Sequence, residues 1–136
     1  MRLSRNRIRA RVKSDLPIVF SDEKISAHGG LELFRRFVVA IDLLGRVRVL
    51  FRDTSLDGDY GAVRMVMLLV GLLVIGGLRV SHLAFVGVDP MLLRFAGLHC
   101  APSDRTVVTW LKAFTPRALE RLSDLIRDLV YDQVER

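Results

Sequence analysis

The chain has 136 residues, of which 51% are hydrophobic and 26% are charged, and its formal net charge is +6. This composition excludes an intrinsically disordered chain and allows one domain with a modest core. The single cysteine, Cys100, excludes an intrachain disulfide framework. Cys100 and its neighbour His99 have no partners at metal-ligand spacing, so we expect no zinc site and interpret them as a small buried thiol beside a turn residue.

The positive charge is concentrated at the N-terminus. The first fourteen residues carry six cations and no acid, so the rest of the chain has fifteen basic and fifteen acidic residues. In an extended chain, five alternating cations of RNRIRARVK would share one side: Arg5, Arg7, Arg9, Arg11 and Lys13. Such an arm can bind a polyanion by releasing counterions, or it can be a solvated tail or a charged edge strand. A mitochondrial-type targeting peptide fits less well, because the period is two residues and not helical.

The segments after the arm lead into a helical region. Residues 17–26, PIVFSDEKIS, predict an extended lead-in or one short strand, which AHGG interrupts. Residues 31–45, LELFRRFVVAIDLLG, have apolar residues at helical spacing and predict one amphipathic helix that ends at Gly45. RVRVLFRD is ambiguous between a strand and a short helix. In the loop TSLDGDYG, Asp59 is the candidate N-cap of the next helix, and with Asp57 we expect a capping loop and not a metal site.

The most apolar stretch, MVMLLVGLLVIGGL, covers fourteen residues at 65–78. As a helix it would extend about 21 Å, whereas a bilayer core needs about 30 Å. We therefore predict a helix at about 61–75 that other helices cover on all sides, with a short or interfacial membrane segment as the alternative. Gly71 would let a neighbouring helix approach closely, and Gly76 and Gly77 would end the helix.

Four further helices are predicted before the C-terminus. One spans 79–86, and the next begins with Asp89 as N-cap and Pro90 as first residue and ends at Gly97. A short turn leads to PSDRTVVTWLKAF, and Thr115 and Pro116 then open the last helix. The last helix carries an apolar stripe within 119–134 that is a candidate surface for a homo-oligomer, formed by Leu119, Leu122, Ile126, Leu129 and Val130. The prediction is an all-α, compact multi-helix bundle at 25–136 behind a basic extended arm at 1–24.

The segment at about 89–114 has the pattern of a helix-turn-helix unit, whose second helix enters the major groove. On its second helix, Thr109 and Lys112 fall within about 40° of Arg105. The opposite side is apolar and would seat the helix on the buried one, through Val107, Trp110, Leu111 and Phe114. Ser103, as N-cap, and the first-turn amides could bind a phosphate, and Arg105 could pair with guanine. The candidate DNA-binding residues are Ser103, Arg105, Thr109, Lys112 and the five arm cations, and a plain solvated face is the alternative.

Four segments in order resemble the N-terminal region of bacterial insertion-sequence transposases of the DDE class, group-one type: ISAHGGLELFRRF, GDYGAVRMVMLLVGLLVIGG, DPMLLRFAGL and PSDRTVVTWLKAFTPRALERL. The resemblance runs from about Ile25 to the end of the chain. It implies a bacterial cytoplasmic, nucleoid-associated protein whose helices recognise the terminal inverted repeats of a mobile element. It also implies a ribonuclease-H-like core beyond this region, in which two Asp and one Glu bind Mg²⁺ for strand transfer.

No acid in this chain matches the family's catalytic motif, and the sequence stops at Arg136, before the strand with the first catalytic Asp. We therefore expect no catalytic residue and no cofactor in this chain alone. Two other functions fit the composition. One is a small membrane-associated helical protein, which the run at 65–78 and the basic arm would suit. The other is a helical interaction module that binds no nucleic acid.

Overall fold

The computed structural model describes residues 26–134, and within that range the chain is all-helical with no strand. Seven α-helices and one 3₁₀ turn follow in order: α1 Gly30–Ala40, α2 Leu43–Phe51, α3 Ala62–Val74, the 3₁₀ turn Val80–His82, α4 Leu83–Val86, α5 Pro90–Ala96, α6 Asp104–Lys112 and α7 Pro116–Val134. The predicted all-α bundle is confirmed for these residues. The arm cations Arg5, Arg7, Arg9, Arg11 and Lys13, and nearly all of the predicted lead-in, lie outside the described residues.

The apolar helix α3 is the centre of the fold. It packs mainly on α5, and also on α2. Its buried residues Met65, Leu68 and Leu72 form one hydrophobic cluster with side chains of α1, α5 and α6, among them Val38, Leu92, Phe95 and Val107. A Cβ atom added at Gly71 would lie 2.8 Å from side-chain carbons of both Leu92 and Phe95. Gly71 therefore allows the close approach of α3 and α5 that the sequence predicts.

The prediction that neighbouring helices cover α3 on all sides is wrong at its C-terminal end. Leu73 is 62% exposed and Val74 is 49% exposed. The helices that pack on α3 cover the side that carries Met65 and Leu72, and they leave Leu73 and Val74 exposed. Gly76 follows with φ 89°, a left-handed conformation that suits glycine and ends the helix. None of the helices between residues 26 and 134 is long and apolar enough to cross a membrane.

The single helix predicted for residues 31–45 is instead two helices. Asp42, at φ 51°, adopts a left-handed conformation between the end of α1 and the start of α2. Gly45 does not end a helix but lies in the first turn of α2, where a Cβ atom would collide with the carboxylate of Asp42. The ambiguous segment that follows is helical as far as Phe51.

A second hydrophobic cluster joins α2 to α7. Its buried members include Phe51 of α2, Leu56 of the following loop and Ala118 of α7, and Trp110 and Phe114 pack against them. At the far end of α7, Arg46 Nη2 lies 2.6 Å from Asp132 Oδ2. The last helix is therefore docked along α2 by apolar contacts and one ion pair.

Side chains cap three of the helices where the sequence predicts it. Asp89 accepts hydrogen bonds from the backbone N–H groups at the start of α5, Ser103 accepts one from Thr106, and Thr115 accepts one from Ala118. The predicted cap of α3 is wrong. The carboxylate that accepts from Ala62 N, at 3.0 Å, belongs to Asp57 and not to Asp59, because the chain turns back at Gly61 with φ 79°.

Candidate nucleic-acid interface

Helices α5 and α6 follow one another along the chain with a turn at 97–103 between them, which is the order predicted for the two-helix unit. Gly97 ends α5 in a left-handed conformation, and Ser103 opens α6. The backbone of α6 lies against the 3₁₀ turn Val80–His82. Val107, with no exposed surface, joins the cluster that contains Leu92 of α5. The helix α6 is thus held on the core by Val107, by the partly buried Trp110 and by the 3₁₀ turn.

The two sides of α6 differ in exposure as the sequence predicts, with one exception. Ser103, Arg105, Thr109 and Lys112 are all exposed. On the opposite side, Val107 is buried and Trp110 and Phe114 are partly buried. Leu111 was predicted for the buried side but is 40% exposed. On a regular helix it lies about 40° from Val107, on the side away from Trp110, and so falls at the edge of the contact.

A cavity of about 410 Å³ lies beside the polar stripe of α6. Arg105 and Thr109 line one wall, and the loop residues Asp57 and Asp59 line the other. Neither Arg105 nor Lys112 forms an ion pair with another residue of the described range. The two carboxylates lower the positive potential at the loop side of the stripe.

The structure has a second cationic surface that the sequence did not predict. Four arginines from four different helices line a cavity of about 370 Å³: Arg35 of α1, Arg48 of α2, Arg64 of α3 and Arg94 of α5. They are spread over sixty positions and form no motif. Only the packing of α3 against its neighbours brings them together, so no local sequence signal could have found them.

Glu32 is the main counter-charge at this second surface. Its carboxylate accepts two hydrogen bonds from Arg35, at 2.9 Å and 2.8 Å, and lies 3.8 Å from Arg94 and 3.9 Å from Arg36. The hydrogen bond from Arg35 is the largest influence and lowers the pKa of Glu32; burial opposes it, and attraction to the arginines lowers it further. The same hydrogen bond raises the pKa of Arg35. Glu32 therefore stays ionised, and it pairs with Arg35 more closely than with Arg94 or Arg36.

No metal site accompanies these surfaces in the part of the chain that the structure describes. No group of three His, Cys, Asp or Glu side chains there could hold a metal ion. Cys100, predicted to be buried, is exposed, because it lies with His99 in the surface turn between α5 and α6.

Comparisons of the chain with known protein families, with curated proteins and with solved structures find no match. The candidate interface is therefore defined by the exposure, charge and placement of the residues described above.

Proposed function

We propose that this chain is the DNA-binding N-terminal portion of an insertion-sequence transposase and that it contacts the terminal inverted repeats of a mobile element. One observation carries the proposal. The polar stripe Arg105, Thr109 and Lys112 is exposed on a helix whose other side is held by Val107 and Trp110. The resemblance of four sequence segments to that family supports the same function. On this proposal the protein takes part in DNA transposition in the bacterial cytoplasm, at the nucleoid, and supplies no strand-cleavage chemistry of its own.

The start of α6 is the end that would enter the major groove. Arg105 is the second residue of α6 and can donate two hydrogen bonds to guanine O6 and N7. Ser103 contributes less than its position suggests, because its hydroxyl already accepts from Thr106 N and bonds the Thr106 hydroxyl. Asp104 places a carboxylate in the same first turn, which disfavours a phosphate there. Arg105 is therefore the proposed base-reading residue, and Lys112, two turns later, the phosphate contact.

The test measures binding of the full chain to a duplex that it selects from a random library and to a scrambled duplex of equal length. Arg105→Ala is expected to lose discrimination between the two, by about 1–3 kcal/mol, while Lys112→Ala weakens both alike. The matched control is Arg52→Ala, which removes one exposed arginine after the end of α2. If Arg105→Ala binds each of the two duplexes as tightly as wild type does, α6 does not read bases through Arg105.

A second candidate function, an interaction module, is favoured by the outer side of α7. Leu119, Ile126 and Val130 are each more than half exposed, at 51%, 56% and 56%. We propose that a second copy of the chain covers this stripe. Oligomerisation and DNA binding are compatible, because the stripe of α7 and the stripe of α6 lie on different helices.

A further inference from the structure

The cavity between α1, α2, α3 and α5 has the composition of an anion site. Its rim carries Arg35, Arg48, Arg64 and Arg94, and its floor includes the buried side chains Val38, Met67 and Phe95. A guanidinium group presents paired N–H donors that match phosphate oxygens, and an apolar floor lowers the local dielectric constant and strengthens such contacts. We call this site the arginine cavity.

The acids at the arginine cavity do not neutralise it. Glu32 is bonded to Arg35 and lies near Arg94. Asp57, the only acid among the lining residues, uses one carboxylate oxygen to cap the start of α3. Arg48 and Arg64 form no ion pair with any residue between 26 and 134. Two guanidinium groups therefore remain available for an external anion.

The position of Arg64 is unfavourable for the isolated helix. It lies in the first turn of α3, where no acid is present and where the positive end of the helix dipole repels a cation. Arg48 comes from the last turn of α2, so the arginine cavity receives a second cation from a different helix. An anion bound between Arg48 and Arg64 would offset the repulsion between Arg64 and the start of α3.

The arginine cavity and the α6 stripe lie on two sides of one loop. Asp57 lines the arginine cavity and also the cavity that Arg105 and Thr109 line. A duplex on α6 would therefore have the arginine cavity beside it, across the loop at 57–61. The phosphates of a duplex form a continuous row of negative charges that could reach both surfaces.

We infer that the arginine cavity holds a backbone phosphate of the DNA that α6 contacts, with Arg48 and Arg64 as its main ligands. This inference rests on the proposed DNA binding. It adds a sequence-independent contact to the base-reading contact at Arg105. Such contacts fix the position of a protein on the duplex and carry no base information themselves.

The test compares the double variant Arg48→Gln/Arg64→Gln with Arg52→Gln/Arg79→Gln, which removes two exposed arginines outside the arginine cavity. The first pair is expected to weaken binding to the selected and the scrambled duplex alike. It should also reduce the slope of log affinity against log salt by about 1, since one fewer phosphate is neutralised. Arg48→Lys/Arg64→Lys should restore the slope, because it restores the charges. Thermal melting verifies that each variant is folded.

The outcomes separate the two proposals. If the full chain binds DNA and the Arg48→Gln/Arg64→Gln pair keeps the slope of the control pair, the arginine cavity is not a DNA contact, while binding by α6 stands. If the full chain shows no salt-dependent DNA binding, both proposals fail. Thermal melting in inorganic phosphate and in chloride, at equal ionic strength, tests whether the arginine cavity binds a free anion. If phosphate stabilises wild type but not Arg48→Gln/Arg64→Gln, and if the two chains bind DNA equally well, the cavity is a site for free phosphate. That result would overturn the inference.

Discussion

The indole N–H of Trp110 donates a hydrogen bond to the backbone oxygen of Leu56, at 2.7 Å. The bond ties α6 to the loop between α2 and α3. The ring also meets Phe114 edge-on, with centroids 4.8 Å apart, and Phe51 at 6.4 Å. Trp110 packs against both hydrophobic clusters and so connects them. Trp110, together with the buried Val107, therefore fixes the orientation of the polar stripe of α6.

Two replacements of Trp110 should separate the contribution of its hydrogen bond to stability from the contribution of its packing. Trp110→Ala is expected to lower the free energy of unfolding by about 3–5 kcal/mol, because it removes a large aromatic side chain from two clusters. Trp110→Phe keeps most of the packing but leaves the Leu56 oxygen without its donor, which costs about 1–3 kcal/mol. Urea denaturation measures both. Thr109→Ala, at the exposed neighbour, is the control and should change stability by less than about 0.5 kcal/mol. A Trp110→Phe variant as stable as wild type would show that the hydrogen bond contributes nothing.

The two sides of α3 should respond differently to a buried charge. Leu68 has no exposed surface, so Leu68→Asp places a carboxylate in the core and should cost several kcal/mol. Leu73 is 62% exposed, so Leu73→Asp should change stability by no more than about 0.5 kcal/mol. Thermal unfolding followed by circular dichroism compares them. If both variants are destabilised equally, another surface covers Leu73 in solution.

Local features of this fold follow from the sequence, and features that depend on packing do not. Ser103, Asp89 and Thr115 cap their helices through bonds to residues two or three positions away, so short motifs predict them. The exposure of Leu73 depends on where neighbouring helices stop, and the helix break at Asp42 depends on a rare left-handed residue. For the same reason half of the candidate interface was missed. The residues of the α6 stripe recur at helical spacing within one helix, whereas the four arginines of the arginine cavity come from four helices.

We expect the stability of the fold to depend on pH through Asp89, which is bonded to Ser26 at the start of the described region. The Ser26 hydroxyl lies 2.9 Å and 2.8 Å from the two carboxylate oxygens of Asp89, sixty-three residues further along the chain. Burial, the largest single influence, raises the pKa of Asp89, but hydrogen bonds from Ser26, Leu92 and Met91 and the charge of His28 bring it below its ordinary value of 3.8.

Because the folded pKa of Asp89 is depressed, its contribution to stability should be present above pH 3.8 and lost as the pH falls through the folded pKa. Asp89→Asn removes this titration. The stability difference between wild type and Asp89→Asn, measured by denaturation at several pH values, should therefore shrink below pH 3.8. Asp104→Asn, at an exposed acid in the first turn of α6, is the control. A difference that stays constant through this range would contradict the predicted role of Asp89.

The basic arm should supply much of any sequence-independent DNA affinity. Its six cations lie outside the described residues, and the prediction rests on their charge alone. If all of them contact duplex phosphates, deletion of residues 1–13 should reduce the slope of log affinity against log salt by about 5. Arg48→Gln/Arg64→Gln in the deleted chain should reduce it further, because the arginine cavity acts independently. An unchanged slope after deletion would remove the arm from DNA binding.

The outer side of α7 should pair with its counterpart in a second copy. On a regular helix, Leu119, Ile126 and Val130 fall within about 40° of one another, while Ala118 and Leu122 face α2 about 100° and 60° from Leu119. Glu120 and Arg127 lie seven positions apart on one flank of the exposed stripe and carry opposite charges. In an antiparallel two-fold pair, Glu120 of one copy would face Arg127 of the other, and each contact would occur twice.

This self-complementary arrangement predicts a rescue that other partners would not produce. Ile126→Asp/Val130→Asp should abolish self-association, measured by sedimentation equilibrium over a range of concentrations, with little effect on melting, because both side chains are more than half exposed. Glu120→Arg should weaken the dimer by placing like charges opposite each other, and Glu120→Arg/Arg127→Glu should restore it, since the swap recreates both pairs. Leu125→Asp, on the side that packs against the second cluster, should instead unfold the domain. A wild-type chain that stays monomeric at every concentration would exclude a second copy from this surface.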